Sequence, residues 1–450
     1  MKRFLLLGLF VVLMADSMFG WGLGIGPGLS VKNAALYVLI LLLAMEFAVT
    51  RERHIFELPA IHLLFGLLIA LAAFSWALNT FVGGYTGYRP LGAFIALKSN
   101  LVDHYLFFLI FFLGARRWAD VLWLQRWILV VIALGSIATV MDAYNLPDLN
   151  VIEMRRDGRV QGPLGEANQY GLFVALFLPI LFARAWVTRG IERAFFAGAA
   201  LFTFWVLVLT VSRGSYASLL VGSVLAAVYL REFLDLRYVA AMFGLACVGV
   251  LAAVLLLSQE YVNLIVDRVI QASSMDDAGQ ASSGRTWIWG DALDRMTTEP
   301  LSFLIGYGWN TFRSAVGIAP HNTYLGYLFE LGVFGALLFV FLFGAIVRHA
   351  KAALRVSGTH PEVRGGLIGF VIGLFVLLVG IFFLDLTTPW YFIWAYCGLV
   401  MRGVAEVVRA PESVDTTVAA SVTQTVPSHP KGSAAYPQHE HGVSKWGPSA

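Results

Sequence analysis

Uninterrupted apolar runs of about 20 residues recur from the start of this chain almost to its end, and each is long enough to cross roughly 30 Å of hydrocarbon as a helix. Spanning backbone must satisfy its own hydrogen bonds, so it forms helices or closed barrels. The alternation a barrel strand needs is absent, which leaves helices. Of 450 residues only 13% are charged and 59% are hydrophobic, against about 25% charged in soluble domains. The expected fold is therefore all-α and polytopic. Runs fall at residues 4–14, 31–49, 58–78, 101–115, 122–141, 169–187, 195–212, 215–230, 239–257, 322–347, 367–384 and 389–400, twelve spans in all. Lys2 and Arg3 ahead of the first run look like the start of a signal peptide, but no small-x-small cleavage site follows, so it reads as an uncleaved span.

Lys and Arg concentrate in the short loops that face the cytoplasm. Arg51 and Arg53, Arg116 and Arg117, Arg184, Arg189 and Arg193, Arg231 and Arg237, and Arg348 to Arg364 all fall on one side if the N-terminus is inside. That places a large loop, residues 258–321 between spans 9 and 10, on the outer side of the membrane. Residues 1–409 form the transmembrane domain. From 410 to 450 the chain turns to Ser, Thr, Pro, Gly and His without apolar periodicity and is expected to be a disordered cytoplasmic tail. Its His429, His439 and His441 read as solvated. A net charge of +3 gives no reason to expect nucleic acid, and two distant cysteines, Cys247 and Cys397, both inside apolar runs, read as buried structural thiols.

In the long loop seven acids outnumber four arginines, so an anion would be held there by one or two placed arginines and not by a general basic patch. Trp289, Ala292, Leu293 and Met296 follow helical spacing, which predicts an amphipathic helix on the membrane surface, starting near Ser283 or Gly284 and ending before Pro300. Arg285 then lies in its first turn, where the helix dipole disfavours a cation, and a bound anion accounts for it. Arg213 breaks two apolar runs at the outer surface, a costly place for an unpaired charge. The segment from Arg156 to Gln169 holds three glycines and a proline; backbone amides at a helix start near Asn168, with Arg159 beside them, suit either phosphate or a plain turn into the membrane. His321 precedes Asn322, a candidate cap for the next helix, whose positive end would keep the imidazole neutral and able to accept a proton. Glu46, Asp103, His104 and Asp385 lie in or near spans and are candidates by position, Asp103 and His104 as a pair. No metal-ligand spacing and no Ser-His-Asp pattern is present.

These residues resemble a known family. Gly284-Arg285-Thr286-Trp287, Pro300-Leu301, Gly306-Tyr307-Gly308, His321-Asn322-Thr323-Tyr324-Leu325 and Glu330-Leu331-Gly332, preceded by the Arg159 to Asn168 segment and Ser212-Arg213-Gly214, are similar in order and position to the bacterial O-antigen ligase and polymerase superfamily. Glu166-Ala167-Asn168 departs from the family's more usual Pro-Asn. The resemblance implies a metal-independent, inverting transfer of a glycan from a polyprenyl (undecaprenyl) diphosphate carrier to an acceptor hydroxyl at the periplasmic face, without a cofactor. It implies His321 as base and Arg213 and Arg285 as diphosphate grips, with Arg159, Asn168 and Asn322 as further binding residues. The acceptor, whether lipid A core, a growing polysaccharide or a protein, stays open. So do a polymerase or protein O-oligosaccharyltransferase of the same superfamily and, from another class, a transporter or flippase. The last predicts internal repeats and paired broken helices, of which the sequence shows neither.

Overall fold

The computed structural model describes residues 2–19, 24–26, 29–50, 57–82, 87–144, 146, 155–156, 159–257, 259–274, 282, 284–356, 361–387 and 389–422. The chain divides into a main body, Met1–Val408, and a C-terminal unit, Arg409–Ala450. The first half of the main body comprises helices α1 (Lys2–Phe19), α2 (Val31–Thr50), α3 (Pro59–Phe81), α4 (Pro90–Leu97), α5 (Asp103–Gly114), α6 (Trp118–Ala143) and α7 (Ala167–Val187). A π-helical turn, Lys98–Val102, joins α4 to α5. Then come α8 (Gly190–Leu209), α9 (Arg213–Tyr229), α10 (Leu236–Leu256), α11 (Gln259–Ser274), α12 (Arg285–Thr298), α13 (Pro300–Ile305), α14 (Phe312–Val316), α15 (Thr323–Val356), α16 (Pro361–Gly380) and α17 (Pro389–Val422). Two small antiparallel ribbons, Gly24–Gly26 with Leu29–Ser30 and Arg155–Arg156 with Arg159–Val160, are the strands among the described residues.

The protein is an all-α multi-pass membrane protein. Among the described residues nine helices are long and apolar enough to cross a bilayer, where twelve spans were expected. The three others all fall on helices: α1 carries Lys2, Arg3 and Asp16 within its 18 residues, α9 has 17 residues, and the apolar stretch of α10 is Leu236–Ala252. Large apolar side chains stand exposed along these helices, Leu41, Leu63, Phe74 and Leu220 among them, as a lipid-facing surface requires. Cys397 is buried, but Cys247 is exposed on that outer surface, against the expectation of two buried thiols. The last helix runs on to Val422, past the expected tail boundary at 410, and residues 423–450 of that tail lie outside the described residues.

Close packing around α16 sets up the rest. Gly365, Gly369 and Gly373 repeat at four-residue spacing and turn one stripe of α16 onto α7: a Cβ at Gly369 would lie 2.9 Å from the Pro179 carbonyl, and one at Gly373 would collide with the Leu176 carbonyl. On its other flank α16 meets Gly222 of α9, whose Cβ would lie 2.5 Å from Val376 Cα. Small residues let helix backbones approach where lipid supplies no hydrophobic drive. Gly365 faces Val187 and Gly380 faces Leu172, so α16 runs antiparallel to α7, and the N-terminus of α7 sits where α16 ends. Residues 381–387, leaving α16, are tied there: Thr387 donates from N (3.1 Å) and Oγ1 (3.0 Å) to Gln169 Oε1.

The opposite end of the bundle gathers ion pairs. Arg184 binds Glu192 (2.7 Å) and Glu362 (3.0 Å), Lys351 binds Glu232 (2.9 Å), Arg402 binds Glu57 (2.7 Å) and Glu406, and Glu46 binds Lys2 and Arg116 (2.9 Å for the latter). These residues sit at the ends assigned to one side from the Lys and Arg bias. Glu46 is thereby engaged in ion pairs with Lys2 and Arg116.

Two expectations fail on local geometry. Asp103 does not pair with His104: its buried carboxylate accepts from Asn33 Nδ2 (2.7 Å), Tyr37 OH (2.8 Å) and Lys98 Nζ (2.9 Å), because neighbours in a helix point in different directions. The run from 322 to 347 is not one straight helix either. α15 is broken at Gly332 (φ 67, ψ −169), whose Cα faces the Leu304 carbonyl at a distance no side chain would permit.

Candidate functional site

The end of the bundle away from these ion pairs is built from four helix starts. At the first, Glu166 caps α7, its carboxylate accepting from Asn168 N (3.0 Å), Gln169 N (2.7 Å) and Asn168 Nδ2 (2.7 Å). The amides expected to cradle phosphate thus already face a carboxylate. Arg159 donates through Nε to the Thr210 carbonyl (3.0 Å) and through Nη2 to Asn168 Oδ1 (2.8 Å), which also accepts from Ser212 Oγ (3.1 Å). Arg159 and Asn168 therefore act as a strut between α7 and the turn after α8.

That turn is the second start. Val211 is buried with φ 47, a left-handed conformation unusual for a β-branched residue, and it delivers Arg213 as the first residue of α9, half-buried. Gly171 lets α7 approach: a Cβ there would lie 2.7 Å from Ser215 Oγ.

The third start is α12, Arg285–Thr298, within a residue or two of the bounds expected from sequence. Gly284 precedes it with φ 82. Of its apolar stripe, Ala292 and Met296 are buried against Phe312, Leu325 and Phe329, while Leu293 is exposed. Part of the stripe that suggested a lipid-facing helix is thus covered by protein. Trp289, one turn after Arg285, donates to the Pro320 carbonyl (2.9 Å) and packs edge-on against Phe382 (5.3 Å). This contact carries Arg285 toward the fourth start.

There His321 has φ 47, and Asn322 caps α15 as expected, Oδ1 accepting from Leu325 N (3.0 Å). Thr323 is pinned through N to the Ile381 carbonyl (2.9 Å) and through Oγ1 to the Leu384 carbonyl (3.0 Å). Strain of the His321 kind is held only where the surroundings over-determine it.

Arg213, Arg285, His321 and Glu166 come close enough for their charges to act on one another. Burial, then the charge of Arg213, lowers the pKa of Arg285, and Glu166 opposes the shift. No residue among the described ones bonds the Arg285 guanidinium. Burial lowers the pKa of His321, the charge of Arg285 adds to it, and Glu166 again opposes. The direction expected for His321 is found, with burial its main cause. Two half-buried guanidiniums side by side are unfavourable unless an anion compensates them.

Two openings border this constellation. An apolar groove of about 690 Å³ is lined by Phe182, Phe204, Tyr216, Leu220, Met242 and Val266, from α7 to α11; Tyr216 lies one helical turn beyond Arg213. A polar cavity of about 320 Å³ is lined by Pro320 and Thr323 on either side of His321, by His104 and by Asp385. Burial pushes the Asp385 carboxyl up to about 6.

The remaining motif residues form a knot beneath the site. Where α15 breaks, Tyr307 N and Gly308 N donate to the freed carbonyls of Phe329 (2.8 Å) and Glu330 (3.1 Å). Glu330 in turn accepts from Asn310 N (2.9 Å) and Phe312 N (3.2 Å). Gly308, at φ 121 against the Asn79 side chain, has no room for a Cβ. Sequence reading singled out Glu166 only as a departure and named Glu330 only as part of a motif, without a role; a carboxylate immediately before an apolar run was the available sign for the first.

Residues 198–340 match the family model described as O-antigen ligase. The stretch contains Arg213, Arg285, His321 and Asn322 and leaves out Arg159, Glu166 and Asn168. The chain is also similar to the O-antigen ligase of Salmonella typhimurium, 28% identical over 200 residues, which are 42% of this chain and 47% of that protein. The match spans about half the length of that relative. Both findings support the O-antigen ligase superfamily.

Proposed function

We propose that this protein transfers a glycan from a polyprenyl diphosphate carrier to an acceptor hydroxyl at the outer face of a bacterial inner membrane, in the making of a cell-surface polysaccharide. The observation that carries the reading is Arg285, half-buried beside Arg213 and next to His321, with no carboxylate bound to its guanidinium among the described residues. In the reaction the acceptor oxygen forms a bond to the anomeric carbon, the bond from that carbon to the diphosphate breaks, and the leaving diphosphate keeps the electron pair and gains one negative charge. Fixed positive charge from Arg213 and Arg285 stabilises that gain. His321, neutral because buried beside Arg285, takes the hydroxyl proton. A direct attack of this kind inverts the anomeric centre and, with a good leaving group, requires neither an acid nor a metal. The apolar groove beside Arg213 suits a polyprenyl chain. Glu166 sets the balance of charge on both Arg285 and His321.

The test is mass analysis of lipid-linked glycan and of glycan attached to lipid A core, free polysaccharide and protein, with the gene present or deleted. Accumulation of lipid-linked glycan together with loss from one acceptor supports the reading and names the acceptor. No change in either pool removes it.

A further inference from the structure

The polar cavity has a composition that neither a diphosphate nor a lipid chain would select. Its wall includes His104, Trp309, Glu330, Asp385, Trp390 and Trp394. Two carboxylates against one nearby guanidinium, Arg313, make it unsuited to an anion. Its volume, about 320 Å³, sits at the lower end of the roughly 300–1,000 Å³ usual for small-ligand pockets.

Two buried polar atoms of its lining have no partner in the protein, His104 Nε2 and Trp309 Nε1. Their residues are 5% exposed each. Native proteins leave few such atoms unsatisfied. The indole N–H can only donate. His104 Nε2 donates or accepts according to the tautomer of the ring. A ligand that both donates and accepts at short range completes the pair, and a hydroxyl group does both. Carboxylates accept from further hydroxyls, and Trp390 and Trp394, stacked on one another at 5.6 Å, add apolar edges to the lining.

We infer that this cavity is a sugar-binding site that holds the hydroxyl-bearing end of the acceptor glycan beside His321. The inference rests on the transferase reading for the word acceptor and on the cavity alone for the word sugar. Pro320 and Thr323, which flank His321 and Asn322 in the chain, line the cavity, so a ring seated there has the base at the edge of its site. A sugar of the donor has the same hydroxyls, but its diphosphate is drawn to Arg213 and Arg285, away from Glu330 and Asp385.

The test uses the full chain in lipid nanodiscs with Trp309→Phe, which removes only the N–H, and His104→Phe, which keeps an aromatic ring against Tyr391 but removes Nε2. Folding of both is checked by thermal melting. With glucose as probe, binding followed by saturation-transfer NMR weakens about three- to tenfold in each variant, the loss of one neutral hydrogen bond, and is unchanged in Arg285→Ala. Glucose binding that is absent from the wild-type protein, indifferent to both variants, or lost with Arg285 overturns the sugar site. In turnover assays the two variants raise KM for the acceptor by the same factor and leave KM for the donor alone. A rise in donor KM instead assigns the cavity to the donor's sugar and overturns the acceptor assignment. Transfer with unchanged acceptor KM does the same while leaving the transferase reading intact. Glucose binding that depends on Trp309 in a protein that transfers nothing keeps the sugar site and sinks the transferase reading.

Discussion

Two arginine-bearing regions meet at one end of the helix bundle, and they differ in what surrounds the charge. In the turn from Arg159 to Gln169 every named polar group has a protein partner: Arg159 bonds Thr210 and Asn168, Asn168 bonds Ser212, and Glu166 covers the amides of α7. In the stretch from Gly284 to His321, Arg285 has no bonded partner among the described residues, and His321 is held in a left-handed conformation. In the sequence the first region suits phosphate no better than a plain turn into the membrane, and Arg285 suits an anion. Their bonding differs: Arg159 is held by Thr210 and Asn168, whereas Arg285, on the proposed function, meets a ligand.

The difference predicts a graded series of losses. His321→Ala removes the base and lowers turnover about 10²- to 10⁴-fold, at normal protein level by immunoblot. Arg285→Ala follows at about 10²- to 10³-fold, the range for removing one fixed donor to a developing negative charge, and Arg285→Lys recovers little of it because an ammonium does not reproduce the guanidinium fork. Arg159→Ala belongs to another class. It leaves the Thr210 carbonyl and Asn168 without their charged partner, so stability falls by about 1–3 kcal/mol and the melting temperature drops with it, while turnover per folded molecule changes less than in Arg285→Ala. Equal losses of turnover in Arg159→Ala and Arg285→Ala, with no change in melting temperature, would erase the distinction between the two regions.

The smallest effect is on pH dependence. With the His321 pKa lowered, turnover holds as pH falls through the ordinary histidine value of about 6.5 and declines only below it. Arg285→Ala removes a positive charge that disfavours imidazolium, so in its residual activity the acidic limb moves to higher pH. Glu166→Gln removes a negative charge that favours imidazolium, and the limb moves to lower pH. Shifts in the opposite directions, read from kcat/KM against pH, would mean that His321 is not the titrating group.

Much of this arrangement was legible in the sequence because its causes are local. Bilayer thickness sets run length, so a helix is found at every expected span, although among the described residues nine are long and apolar enough to cross by themselves. Arg213, Arg285 and His321 stood out because each charge or imidazole sits where a membrane edge or a helix start makes it costly. What escaped depends on partners far along the chain. Glu330 and Gly332 interrupt the apolar run without marking it as a break, which is fixed by the Leu304 carbonyl packed against Gly332. The stripe of α12 is amphipathic whether it meets lipid or Phe312 and Phe329. Trp309 acquires meaning only beside His104, some 200 positions earlier in the chain, across a cavity that neither residue's own surroundings disclose.

The division of labour between Arg285 and His321 is tested most directly by the binding of a polyprenyl diphosphate-linked glycan to purified Arg285→Ala and His321→Ala proteins in nanodiscs. A base acts on the acceptor and is not needed to hold the donor, whereas a guanidinium beside the diphosphate is. The expected result is near wild-type donor affinity in His321→Ala and loss of about tenfold or more in Arg285→Ala, as for a charge-assisted contact. Donor binding lost as completely in His321→Ala as in Arg285→Ala would make His321 a binding residue and end its assignment as the base.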